Sequence, residues 1–213
     1  MKTFDRHDRL LAIGLSALAG YVDAVGFLAT GGFFVSFMSG NSTRLGVGIG
    51  EWSVNVAIAA MLIGSFLIGV IVGSLVGRAA GHRHRAVVLV LLAALLAGAA
   101  VLGQFGAVWP AAVLMAAAMG AENIFFAEGT EVRVGLTYMT GRLVKIGQLI
   151  AAALAGGDRW AWVPHLVLWS GLIVGGAAGA AAFLAMGGAS LWIAVAAALG
   201  IAAIARGPDA VAR

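Results

Sequence analysis

Six long apolar runs divide the chain, at about residues 10–28, 54–77, 86–103, 108–127, 162–184 and 190–205. Each is close to, or above, the roughly 20 residues a helix needs to cross a hydrocarbon core. Only two carboxylates interrupt them, Asp23 in the first and Glu122 in the fourth. Two stretches between the runs, 30–50 and 129–156, have a different character. Each opens with extended-looking residues, 33–37 (Phe-Phe-Val-Ser-Phe) and 132–138, and continues as a helix too short to span alone. The pattern predicts an all-α polytopic membrane protein of six transmembrane helices plus two re-entrant elements, each an extended segment followed by a half-helix. Trp52, Trp109, Trp160 and Trp162 fall at the predicted span edges, where indole rings anchor a protein in the interface.

Composition narrows this to one membrane domain covering residues 1–213. Hydrophobic residues make up 62% and charged residues 10%, against about 25% charged in a soluble domain. The net charge of +4 does not call for nucleic acid, because the basic residues stand singly or in short clusters between apolar runs. Their placement orients the chain instead. If both broken elements enter and leave on the same side, twelve of the thirteen Lys and Arg lie on one face, with Arg44 alone opposite. The positive-inside rule makes that face cytoplasmic. The expectation is a multi-pass protein of the bacterial inner (plasma) membrane with both termini cytoplasmic. The chain has no cysteine, which removes thiolate catalysis and thiolate metal sites. His82 and His84 alternate with arginines, poor company for a metal ion, and no cofactor is expected.

Three features recur along the chain. Gly20-Tyr21-Val22-Asp23 faces Gly120-Ala121-Glu122-Asn123 at an offset of 100, and Met38-Ser39-Gly40-Asn41 faces Met139-Thr140-Gly141-Arg142 at 101. The ladder Gly69, Gly73, Gly77 faces Gly171, Gly175, Gly179 at 102. The same order in both halves points to duplication, with repeats at about 9–103 and 108–206. Three spans per repeat is an odd number, so the second copy is inverted, an architecture shared with many secondary transporters. The glycine ladders have the spacing of tight helix contacts, within or between protomers.

The candidate chemistry gathers at the repeated motifs. Ser39, Gly40 and Asn41, and Thr140, Gly141 and Arg142, stand where extended backbone turns into a half-helix, and the free amides of a helix start attract anions. If the two copies enter from opposite sides, their positive ends converge near the midplane. The plainer role for Ser39, Asn41 and Thr140 is capping, with Gly40 and Gly141 permitting close packing. Asp23 and Glu122, with Asn123 beside the latter, mark a pathway by the usual logic of intramembrane carboxylates, and one of them could take up and release a proton. The alternative is that each holds the neighbouring broken element in place, for instance Asp23 through Ser39 or Asn41. Arg44 reads as a boundary residue whose charge reaches the interface.

The elements Gly20-Tyr21-Val22-Asp23-Ala24 and Phe33 to Asn41 resemble the YoaK-like family of bacterial inner-membrane proteins, a domain-of-unknown-function family, over essentially the whole chain. That family more often carries an amide where Glu122 stands. The resemblance implies a polytopic membrane protein and supplies no substrate. The paired extended segment and half-helix are also similar in architecture to the core of sulfate-permease and nucleobase transporters. The expected function is a small transporter for an anion or small polar metabolite, with proton coupling as an option and a homodimer as a further expectation. A channel, or a non-transporting assembly or sensor subunit, are the alternatives. No catalytic set is recognisable, so an enzyme is not expected.

Overall fold

The computed structural model describes residues 6–128, 131–132 and 139–205. Eight α-helices follow one another: α1 (Arg6–Ala29), α2 (Met38–Glu51), α3 (Asn55–Ala80), α4 (His84–Gln104), α5 (Val108–Glu122), α6 (Met139–Leu154), α7 (Val163–Met186) and α8 (Leu191–Ala205). Tight 3-10 turns at Gly81–Arg83 and Gly187–Ser190 join α3 to α4 and α7 to α8. A two-residue antiparallel pairing, Ala127–Glu128 with Glu131–Val132, lies between α5 and α6. Helices dominate for a physical reason: in lipid a backbone must satisfy its own polar groups, and an α-helix does so within one segment.

Among the described residues, three stretches are long and apolar enough to cross a membrane: Arg6–Ala29, Asn55–Gln104 and Val163–Ala205, the latter two each a helix pair broken at its 3-10 turn. The helix ends fall within a few residues of the expected runs, with one exception. The fourth run, expected to reach residue 127, ends as helix at Glu122. There the Asn123 side chain donates 2.9 Å back to the Met119 carbonyl, and the Ile124 and Phe125 amides turn onto Ala121 and Glu122. This competition from a short amide side chain favours turn over helix.

Apolar side chains cover the outside of the fold as well as filling its inside. Leu67, Ile68, Ile71 and Leu75 of α3, and Ile173 and Val174 of α7, point outward, while Leu92, Leu96, Met115 and Met119 fill the centre between α4 and α5. Exposed apolar surface on that scale suits a lipid surround. The most extensive packing is α1 on α7 and α3 on α5, followed by α4 on α5 and α8. Lipid supplies no hydrophobic drive for these contacts, which leaves close van der Waals packing and interhelical hydrogen bonds to hold them. Both are present. The Ser16 hydroxyl donates to the Leu168 carbonyl and the Tyr21 hydroxyl to the Ser190 carbonyl, each at 2.9 Å.

Glycines set the two main crossings. A Cβ at Gly69 would overlap the Ala117 carbonyl, and one at Gly73 would come within 3.0 Å of the Ala121 Cα. A Cβ at Gly175 would overlap the Ala17 carbonyl, and one at Gly179 the Tyr21 carbonyl. Contacts are reciprocated by Gly120 against Phe66 and Gly20 against Leu172. Ala17 and Ala117 are 100 positions apart, whereas Gly69 and Gly175 are 106 apart. The counterpart of Gly69 in its crossing is therefore Gly175, one helical turn beyond the Gly171 that the sequence pairs with it. The longer connection before α7 (155–162, against 52–54 before α3) accommodates the slip.

At one end of the bundle Arg85 of α4 pairs with Asp8 of α1 at 2.8 Å, and its guanidinium covers the rings of Phe125 and Phe126 at 5.5 and 5.7 Å. Both partners of the pair are partly exposed, at 32% and 24%. Such pairs contribute little: Asp8→Asn should lower stability by no more than about 1 kcal/mol, with the difference shrinking in high salt. Thermal unfolding at two ionic strengths checks this.

Candidate functional site

The first broken element is built around the end of α1. The Thr30 hydroxyl donates to the Gly26 carbonyl at 2.7 Å and accepts the Phe33 amide at 3.0 Å, which closes the turn. Gly32, at φ +114, lets the chain double back. Residues 33–37 then run non-helically beside α1, with no strand partner for their peptide groups among the described residues. Side chains take that role. Asp23, 6% exposed, accepts the amides of Val35 (2.9 Å) and Ser36 (2.7 Å) on Oδ1. Asn41, fully buried, grips Phe34 from both sides: its Oδ1 accepts the Phe34 amide at 3.1 Å and its Nδ2 donates to the Phe34 carbonyl at 2.6 Å. Gly40 leaves room for the Phe34 ring, which would lie 2.7 Å from a Cβ there. Gly26 does the same for Val35. Ser39 is exposed at the first turn of α2.

Asp23 thus holds the extended segment through backbone amides, not through the Ser39 or Asn41 side chains that the sequence brought to mind. Arg44 also has a local task. Its guanidinium lies 4.9 Å over the Phe33 ring, which meets Trp109 edge-on at 6.1 Å. Thr30 was missed by sequence reasoning, although Thr-Gly-Gly after a long apolar run is a readable turn signal.

The second broken element follows α5. Asn123 occupies the position that matches Asp23, and Glu122 matches the fully buried Val22. Glu122 is itself 0% exposed, and neither of its carboxyl oxygens has a hydrogen-bond partner among the described residues. Immediately after it, the Phe125 carbonyl lies 3.2 Å from His84 Nε2. The expected extended segment at 132–138 lies, beyond Val132, outside the described residues. At the start of α6, Thr140 and Gly141 are exposed while Arg142 is buried.

The structure gathers Asp23, Gly40 and Asn41 around one segment, with Ser39 at its edge, and sets Glu122 and Asn123 side by side at the end of α5. It does not bring the two half-helices into contact among the described residues: α2 lies on α3 and α6 on α7. No three His, Asp or Glu side chains among the described residues stand close enough to share a metal ion.

Apolar outer faces, glycine-set crossings and a buried non-helical segment held by polar side chains define a helical membrane protein. The chain belongs to a family described as "Protein of unknown function (DUF1275)", whose model matches residues 11–204. It is similar to the UPF0700 transmembrane protein RA0705 of Rhizobium meliloti (strain 1021), with 35% identity over 196 residues, covering 92% of this chain and 84% of that protein. No solved structure matches it.

Proposed function

We propose that the protein is a small transporter for an anion or small polar metabolite, working between two inverted three-helix repeats with six crossings and two re-entrant half-helices in the bacterial inner membrane. The reciprocal glycine crossings of α3 on α5 and α7 on α1 support the repeats, since each crossing joins a helix of one half to a helix of the other. Glu122 is the observation that carries the transport reading. A fully buried carboxyl with neither oxygen bonded contributes nothing to the fold that an apolar side chain would not do better, so its task lies elsewhere. In this reading Glu122 exchanges a proton or meets the solute during the cycle, and the amide ends of α2 and α6 with Ser39 and Thr140 supply polar contacts along the route. Asp23 and Asn41 keep the first half-helix at its depth, Asn123 serves the second, and Arg142 adds positive potential.

Glu122→Met gives the test. Removing an unsatisfied buried carboxyl should raise stability by about 1–3 kcal/mol, seen as a higher unfolding midpoint in detergent, while solute uptake into proteoliposomes falls to background. Gain of stability with loss of function is the signature of a residue kept for activity. Unchanged uptake by the stabilised variant sinks the transport role of Glu122. A second reading, a non-transporting assembly or sensor subunit, draws on Asp23 Oδ1 and the Asn41 side-chain amide, which hold the backbone of residues 34–36. Wild-type proteoliposomes that take up no anion, amino acid or nucleobase decide for it.

A further inference from the structure

Where α3 passes into α4 the surface opens into a cleft of about 500 Å³ lined by His82, Arg83, Arg85, Val87, Val90 and Ala205. Nothing in the proposed transport route uses it. Its lining passes from polar to apolar along the start of α4. His82 and Arg83 lie on the turn and Arg85 is the second residue of α4, while Val87 follows about half a turn and Val90 about one and a half turns further in, with Ala205 at the end of α8. No carboxylate among the described residues lines the cleft. Asp8 holds the Arg85 guanidinium at 2.8 Å, and the Phe125 and Phe126 rings lie beneath it, so this cation is fixed in place before any ligand arrives. Arg83 is exposed and adds a second positive charge at the mouth, and His82, exposed beside it, adds ring nitrogens able to hydrogen-bond a phosphate. The charged mouth stands at the end of a helix pair long and apolar enough to cross a membrane, so in a bilayer it would meet the lipid phosphates, with Val90 facing the upper part of the acyl chains.

A basic head above an apolar trough is complementary to an amphiphile carrying a phosphate. We propose that this cleft is a binding site for an anionic phospholipid, with the headgroup phosphate between Arg83, Arg85 and His82 and one acyl chain along Val87 and Val90. A zwitterionic lipid brings a cation that the cleft cannot match, and a free phosphate leaves the valines uncovered.

The full-length protein purified in detergent, titrated with phosphatidylglycerol, phosphatidylcholine, inorganic phosphate and glycerol phosphate, tests the assignment by native mass spectrometry and thermal unfolding. Phosphatidylglycerol should bind at least about tenfold more tightly than phosphatidylcholine and raise the unfolding midpoint, and the two chainless phosphates should not reproduce the shift. Arg83→Ser with His82→Ser should weaken phosphatidylglycerol about fivefold or more, since one juxtamembrane basic residue alone accounts for about that factor. Both positions are exposed, so the lipid-free midpoint should stay near wild type. Val90→Ser provides a second variant, weakening the lipid and leaving glycerol phosphate unaffected. Equal binding of both lipids, an unchanged affinity in the double variant, or full reproduction of the shift by inorganic phosphate overturns the proposal.

Discussion

Gly175→Leu is expected to yield no folded protein, and Gly69→Leu the same, whereas Gly64→Leu and Gly200→Leu should purify normally. All four positions are helical glycines in long apolar helices. They differ in what a side chain would meet. At Gly175 and Gly69 even a Cβ would run into a backbone carbonyl, of Ala17 and Ala117, and backbone cannot swing aside as a flexible side chain can. At Gly64 and Gly200 nothing lies within 4 Å. The consequence is severe because these crossings carry the fold. α1 on α7 and α3 on α5 are the two largest helix contacts, and in lipid a lost contact is not replaced by hydrophobic pressure. Gly175→Ala, the smallest intrusion, should already cost about 1–3 kcal/mol by forcing the two backbones apart. Monodisperse yield in size-exclusion chromatography separates the two groups. Normal yield from both leucine variants at Gly69 and Gly175 would mean that the crossings are not as close as described.

The same glycines show how far the sequence could be read. Helices were legible because an apolar run long enough to span leaves the backbone little else to form, so α1, α3, α4, α7 and α8 begin and end within a few residues of their runs. The register between halves was not. A helix with a glycine at every turn can be slid by one turn and still match, so Gly69 pairs with Gly171 on paper and with Gly175 in its packing role. The end of α5 was hidden for a related reason. Phe125 and Phe126 continue the hydropathy of the run, and only the Asn123 side chain, bonding back to Met119, ends the helix. At the candidate site the residue types were legible and their partners were not. An extended segment with no strand neighbour among the described residues gives no ladder from which to infer that Asp23 takes the Val35 and Ser36 amides while Asn41 takes Phe34. Glu122 stood out as a charge inside an apolar run, but its lack of any partner is a property of the packed interior alone.

Asp23→Leu should abolish both folding and uptake, and Asp23→Asn should retain both. The leucine variant leaves the Val35 and Ser36 amides buried without an acceptor, at about 1–3 kcal/mol each, a large share of the 5–15 kcal/mol that holds a typical domain together. It also frees the segment that leads into α2. The asparagine variant keeps an oxygen at the position of Oδ1, which receives both amides. An amide at this point is already tolerated in the other half, where Asn123 holds the matching position. Unfolding midpoints and proteoliposome uptake measured on the two variants therefore distinguish an anchor from a charge carrier. If Asp23→Asn folds and transports, Asp23 acts through the backbone it holds, and the carboxyl chemistry of the cycle rests on Glu122. If Asp23→Asn folds at the wild-type midpoint and uptake disappears, the carboxylate at Asp23 does more than position residues 33–37, and the two halves each contribute an acid to the route.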